Sequence, residues 1–169
     1  MVFSLTDDIK KNIWNEKELN YTDDLEYDDF VVERDEPVVV KSDNPVNEGD
    51  RPTWSFKNLL TKDVGSDIYL AHITFPEDGG HDYHAHSGWE IIYVLSGKLQ
   101  STYRPTDGED VQSILEPGDV IFAPHGTPHS VWNAGEGECE FLVMKMPPYF
   151  LEGIPLPEGL EEKSFKPER

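Results

Sequence analysis

One cysteine, four arginines and no long apolar run set the first limits on this chain of 169 residues. Cys139 stands alone in the apolar stretch CEFLVM. That excludes an intramolecular disulfide and a thiolate metal cluster, and it suits a small residue buried in a strand. Cationic side chains are scarce, with 14 Lys and Arg against 34 Asp and Glu and a formal net charge of −20. Such a surface repels phosphate backbones and anionic headgroups, and no basic stripe offsets it, so neither nucleic acid nor membrane is expected as a partner. No segment approaches the ~20 apolar residues of a membrane span. The N-terminal MVFSLTDDIKKNIWNEKELN lacks the positive start and apolar block of a signal peptide, so a cytoplasmic location is expected. Also missing are a Gly-rich phosphate loop, a G-x-S-x-G elbow and an H-E-x-x-H pair.

What is present falls into three parts. Residues 1–50 carry 15 acids against 5 bases and read as an acidic N-terminal extension, with a short helix expected from Thr6 to about Leu19. Within it, FVVERDEPVVV around Phe30–Val40 reads as extended edge structure or an arm over a second subunit. Residues 51–150 hold short apolar or alternating runs between turn residues: DIYLAHITF, WEIIYVLSGKLQSTY, VQSILEPGDVIFAP and HSVWNAGEGECEFLVMKM. That spacing predicts an antiparallel all-β barrel or sandwich. Residues 151–169 form a Pro-rich C-terminal tail whose apolar members, with Tyr149 and Phe150 before them, suggest docking.

The chemistry concentrates in GGHDYHAHSGWEIIYVLSG and GDVIFAPHGTPHSVWN. His84 and His86 stand at i, i+2, so a strand projects both from one face. Glu90 follows a Ser-Gly turn and alternates with Ile92 and Val94, which places its carboxylate on a face that enters the core. His129 follows a strand and a Pro/Gly turn and can return to the first pair. Three imidazoles and one carboxylate from two hairpins suit one borderline divalent metal.

These two segments resemble the cupin family. Gly118, Pro124, Gly126, His129 and Asn133 meet every position of that family's second motif, and His84, His86, Glu90 and Gly97 meet its first. The first motif's leading glycine is displaced, because Asp78 stands six residues before His84 and the glycine is Gly79. The resemblance implies an all-β double-stranded β-helix, a jelly-roll barrel, with N-terminal extension and C-terminal tail outside it. It also implies that His84, His86, Glu90 and His129 are metal ligands and that the motif glycines, Pro124 and Asn133 are scaffold. One divalent transition metal per chain is expected, with Fe, Mn, Ni, Cu and Zn all feasible. A likeness to a family containing dioxygenases makes an oxygen-dependent oxidation of a small organic molecule the leading activity. Metal-dependent isomerisation, decarboxylation and lyase chemistry stay open, as does a non-catalytic binding module. Glu90 could double as a base, and a homodimer paired through a sheet is expected.

Other side chains are weaker candidates. His72 shares parity with Leu70 and could point into the barrel, His81 could meet substrate from a loop at the mouth, and Arg104 could clamp a carboxylate. For each the blander expectation is a satisfied core histidine, a surface loop histidine and a surface ion pair. His125 is expected in solvent, Tyr83 facing away from the metal, and Trp89 and Trp132 packing on the sheets or at a subunit interface.

Overall fold

The computed structural model describes residues 37–86, 88–105, 108–146, 156 and 166–167. Among them the regular structure is β, apart from one 3₁₀ turn at Lys62–Val64. The strands are β1 (Asn47–Arg51), β2 (Trp54–Leu60), β3 (Tyr69–Phe75), β4 (Gly80–His84), β5 (Trp89–Ser96), β6 (Leu99–Tyr103), β7 (Val111–Leu115), β8 (Val120–Ala123), β9 (His129–Asn133) and β10 (Cys139–Met146). Two antiparallel sheets form, a six-stranded one in the order β1-β2-β3-β10-β5-β8 and a four-stranded one in the order β4-β9-β6-β7. From β3 onward the chain passes repeatedly between the two sheets, which is the jelly-roll arrangement expected above.

Alternation builds the core. Ala71, Ile73 and Phe75 of β3, Ile92 and Val94 of β5, and Cys139, Phe141 and Val143 of β10 all face inward from the large sheet. Leu99, Leu115 and Val131 meet them from the small sheet, and the rings of Phe75 and Phe141 pack edge to face at 4.9 Å. Their neighbours of opposite parity point outward, which is why Tyr93, Leu95, Val120 and Phe122 remain exposed.

The turns carry the motif residues. Gly97, Gly118 and Gly126 all have positive φ, and a Cβ at Gly97 would stand 2.6 Å from the Glu138 carbonyl. Where the motif has its leading glycine, Asp78 adopts φ 63°, a left-handed conformation that Asp tolerates better than most residues. The displaced glycine therefore changed a turn residue and preserved the turn. Asn133, 1% exposed, donates through its amide to the carbonyls of Pro76 (3.0 Å) and Gly137 (2.7 Å), and its Oδ1 accepts from the Gly135 N–H. It ties the β3–β4 turn to the β9–β10 turn.

Some expectations meet a different structure. Residues 37–40, the second half of the proposed edge strand, form no strand, and Val39 is 82% exposed. Among the described residues the first strand starts at Asn47. Among the described residues no helix is long and apolar enough to cross a membrane. The Thr6–Leu19 helix, the arm up to residue 36 and the apolar stretch at 149–154 lie outside the described residues.

Asn133→Ala is expected to cost about 2–3 kcal/mol by stranding buried carbonyls. Asn133→Asp should cost more, because a carboxylate cannot donate to them. Urea unfolding followed by fluorescence checks both, and an Asp variant as stable as the parent contradicts the assignment.

Candidate metal centre

The two sheets converge at one end of the barrel on three histidines. His84 ends β4 and His129 begins β9, and the two are directly opposed in the small sheet. His86 lies two residues beyond the end of β4. One imidazole nitrogen from each of His84, His86 and His129 falls in a group spanning at most 4.8 Å. Glu90, in β5 of the large sheet, brings Oε1 to 3.2 Å from His129 Nε2 and Oε2 to 3.3 Å from His86 Nε2.

Backbone contacts hold the two motif turns against each other. The Gly126 N–H donates to the His86 carbonyl at 3.1 Å, and the Gly88 N–H donates to His125 Nδ1 at 2.9 Å. His125 is therefore half-buried and braces the turn that leads into Glu90, where solvent exposure was expected.

The histidines are oriented from behind. His84 Nδ1 donates to the Asp82 carbonyl at 2.9 Å and His129 Nδ1 donates to the Thr127 carbonyl at 2.8 Å. A carbonyl can only accept, so both Nδ1 atoms carry protons and both Nε2 atoms, when the rings are neutral, point lone pairs inward. His129 Nε2 and both ring nitrogens of His86 are buried without a hydrogen-bond partner among the described residues. Although His129 Nε2 and Glu90 Oε1 are close, they do not form a directed hydrogen bond: acceptor faces acceptor. A cation between them satisfies both. Donor atoms at right angles on metal bonds of ~2.1 Å stand about 3 Å apart, which matches the separations to Glu90.

Electrostatics favour the same protonation states. Burial pushes His84 well below the ordinary histidine value of 6.5, with His129 and His81 adding to it, and burial likewise lowers His86. Burial would raise Glu90, but the carboxyl is held well below its usual range, and the Lys145 ammonium is the largest cause. Lys145 is the cross-strand partner of Glu90 on β10, with Nζ 2.6 Å from Oε2. Sequence reasoning missed it. Its signal was parity, since Cys139, Phe141, Val143 and Lys145 alternate on one face and a lysine on an inward face needs a partner.

The site opens into a cavity of about 400 Å³, whose lining includes Arg51, Trp54, Tyr69, His81 and Lys145 around the metal-binding cluster and apolar floor residues such as Ile92 and Phe141. His81 was expected in a loop, yet it lies in β4, opposite Val131. A bulge explains how it reaches the cavity. His81 pairs with Val131 and His84 with His129, so three steps on β4 match two on β9, and His81 and His84 share a face with ring centroids 4.0 Å apart. Tyr83, of opposite parity to His84, is buried away from the site and donates to Asp110 Oδ1 at 2.9 Å.

Two candidates do not reach the cavity. His72 sits between the inward residues Ala71 and Ile73, so it faces outward and pairs with Glu140 at 3.2 Å. It shares parity with Leu70 as expected, but that parity is the outer one. Arg104 spends its guanidinium on a bidentate pair with Asp110 at 2.8 and 2.7 Å. Cys139 is fully buried with its thiol pushed up to about 11 by burial and Glu140, which leaves it unreactive.

Comparison with known proteins gives the following. Residues 71–145 match the family model described as a cupin domain. A germin-like protein of Morus alba is 32% identical over 92 residues, covering 54% of this chain and 44% of that protein. An oxalate-binding protein of Thermotoga maritima is 33% identical over 76 residues, covering 44% of this chain and 59% of that protein. The chain thus spans about half the length of the curated relatives it matches. Among solved structures, Bacillus subtilis oxalate decarboxylase, described with Mn(II) centres, superimposes with a TM-score of 0.56 at 20% identity over 62% of this chain and 28% of that one. At that identity the likeness establishes the fold alone.

Because His84 and His86 are held below 6.5 in the fold, the unfolded chain takes up protons first as the pH falls. The metal-free protein is therefore expected to lose stability from about pH 6.5 downward, with Glu90 adding to the loss at lower pH. Thermal midpoints recorded from about pH 7 to pH 5 check this, and a flat series contradicts it.

Proposed function

The chain belongs to the cupin superfamily, and from that premise we propose that it is a mononuclear metal-dependent enzyme acting on a small organic molecule. The carrying observation is the inward-facing, unpartnered Nε2 set of His86 and His129, with His84 oriented in the same way and Glu90 within 3.3 Å. In this reading His84, His86, Glu90 and His129 are the four protein ligands. Bound there, a divalent metal supplies Lewis acidity or an electron relay to dioxygen, with about two coordination positions left for substrate and oxygen. The chain's own residues do the rest. The Asp82 and Thr127 carbonyls fix the imidazoles, Lys145 holds the Glu90 carboxylate ionised, and the apolar floor keeps the reacting end of the substrate dry.

Dioxygenase-type oxidation is the first reaction proposed, since neutral imidazoles with one carboxylate and adjacent open positions suit a substrate plus dioxygen. A decarboxylase is the second reading, favoured by the oxalate-named relatives and by the cations at the cavity. Mn(II) and Fe(II) are the first metals to load. A cytoplasmic homodimer completes the proposal. The lone buried thiol needs no oxidising compartment, and the outer face of β5 and β8 offers Tyr93, Leu95, Val120 and Phe122 to a second copy.

Two measurements test the reading. Purified protein is expected to carry or take up about one divalent metal per chain, and His129→Ala should lose it while keeping the far-ultraviolet dichroism of the barrel. Stoichiometric metal in that variant refutes the ligand set. For the reaction, oxygen uptake and carbon dioxide release are followed with catechols, flavonols, diketones and small carboxylic acids. Uptake supports the dioxygenase, and release without net uptake supports the decarboxylase. Neither from fully metallated protein removes the enzymatic reading in favour of a binding module.

A further inference from the structure

Resting on the metal-enzyme reading above, we propose that the cavity selects small carboxylates and that the β1–β2 hairpin supplies this selectivity through Arg51. Among the described residues the charged side chains lining the cavity are Arg51, Glu90 and Lys145, with Arg51 exposed at its edge. Lys145 and Glu90 neutralise each other at 2.6 Å. Arg51 is left over. Among the described residues no carboxylate pairs with it, and its guanidinium carbon stands 6.0 Å from the centre of the Phe56 ring. A cation without an acidic partner is notable in a chain where 34 acids face 14 bases. With a divalent metal bound, the lining carries a surplus of positive charge inside a molecule of charge −20, which concentrates small anions at this cavity.

The chemistry of the residues narrows the ligand to a carboxylate. A planar guanidinium fork matches a carboxylate in two hydrogen bonds. The flat side chains of Trp54 and His81, whose rings lie 6.1 Å apart edge to face, stand in the same lining and suit a planar group. Below them Ile73, Phe75, Ile92, Phe141 and Val143 form an apolar floor. A cavity of about 400 Å³ is at the small end of the range for ligand sites, so the carboxylate is a small one. The placement is also informative. Arg51 and Trp54 are paired across the β1–β2 hairpin, outside the 71–145 region that matches the family. Selectivity thus resides in a segment beyond the family match, whereas the metal site lies inside it.

Calorimetric titration of the full chain, both metal-loaded and metal-free, with oxalate, succinate and benzoate and with the corresponding neutral amides tests this. Each carboxylate that binds should exceed its amide by about tenfold in affinity. Arg51→Gln should erase that preference without changing metal content, Arg51→Lys should restore part of it, and Lys57→Gln on β2 should retain it in full. A preference that survives Arg51→Gln, or wild-type protein that binds none of the acids above its amide, overturns the inference. An Arg51-dependent preference in metal-free protein supports it even where metal uptake fails, so the two readings fall separately.

Discussion

Acceptor facing acceptor is the constraint on which the rest depends. His84 and His129 each donate from Nδ1 to a backbone carbonyl, and the His129 ring, when neutral, presents its Nε2 lone pair 3.2 Å from a buried carboxylate that itself only accepts. Unrelieved, a carboxylate 3% exposed in a β-barrel costs several kcal/mol. Lys145 offsets part of this from the neighbouring strand, and the inward imidazoles still need a cation. The barrel is built to hold that arrangement. The turn clips at Gly88 and Gly126 fix one sheet's end on the other, and the Asn133 bridge fixes the adjoining turns.

Much of this arrangement is legible in the amino-acid sequence, for reasons that trace to particular residues. The period-2 alternation of Glu90, Ile92 and Val94 places the carboxylate on the core face, and β5 bears that out. Turn residues between short apolar runs locate β3 and β5 through β10. The histidine spacing points to one cluster, and the three rings meet. What escapes is non-local. The bulge between His81 and His84 adds one residue to β4 and puts His81, still exposed, on the cavity side, and no single-strand pattern announces it. His72 fails because parity alone does not say which parity is inner. Its neighbours Ala71 and Ile73 settle that only once β3 is paired with β10. The β1–β2 hairpin escapes because NEGDR carries almost no apolar signal, and with it go Arg51 and Trp54, two residues of the cavity wall.

The abundance of acid and the scarcity of arginine acquire a location in the fold. Of the four arginines, Arg104 is spent on Asp110, whereas Arg51 lines the cavity beside the Lys145–Glu90 pair. Bulk charge therefore does not describe the cavity lining, where two cations, Arg51 and Lys145, stand with one acid, Glu90. In the proposed reading, the histidine cluster lies in the region that matches the family model and Arg51 in a hairpin outside it, so that reaction and selection draw on different segments.

X-ray absorption at the edge of the bound metal tests the central claim most directly, because outer-shell scattering from imidazole rings counts histidine ligands without recourse to activity. The account predicts three imidazoles per metal, with the remaining donors oxygen. A bound metal with no imidazole, or with only one, would contradict it.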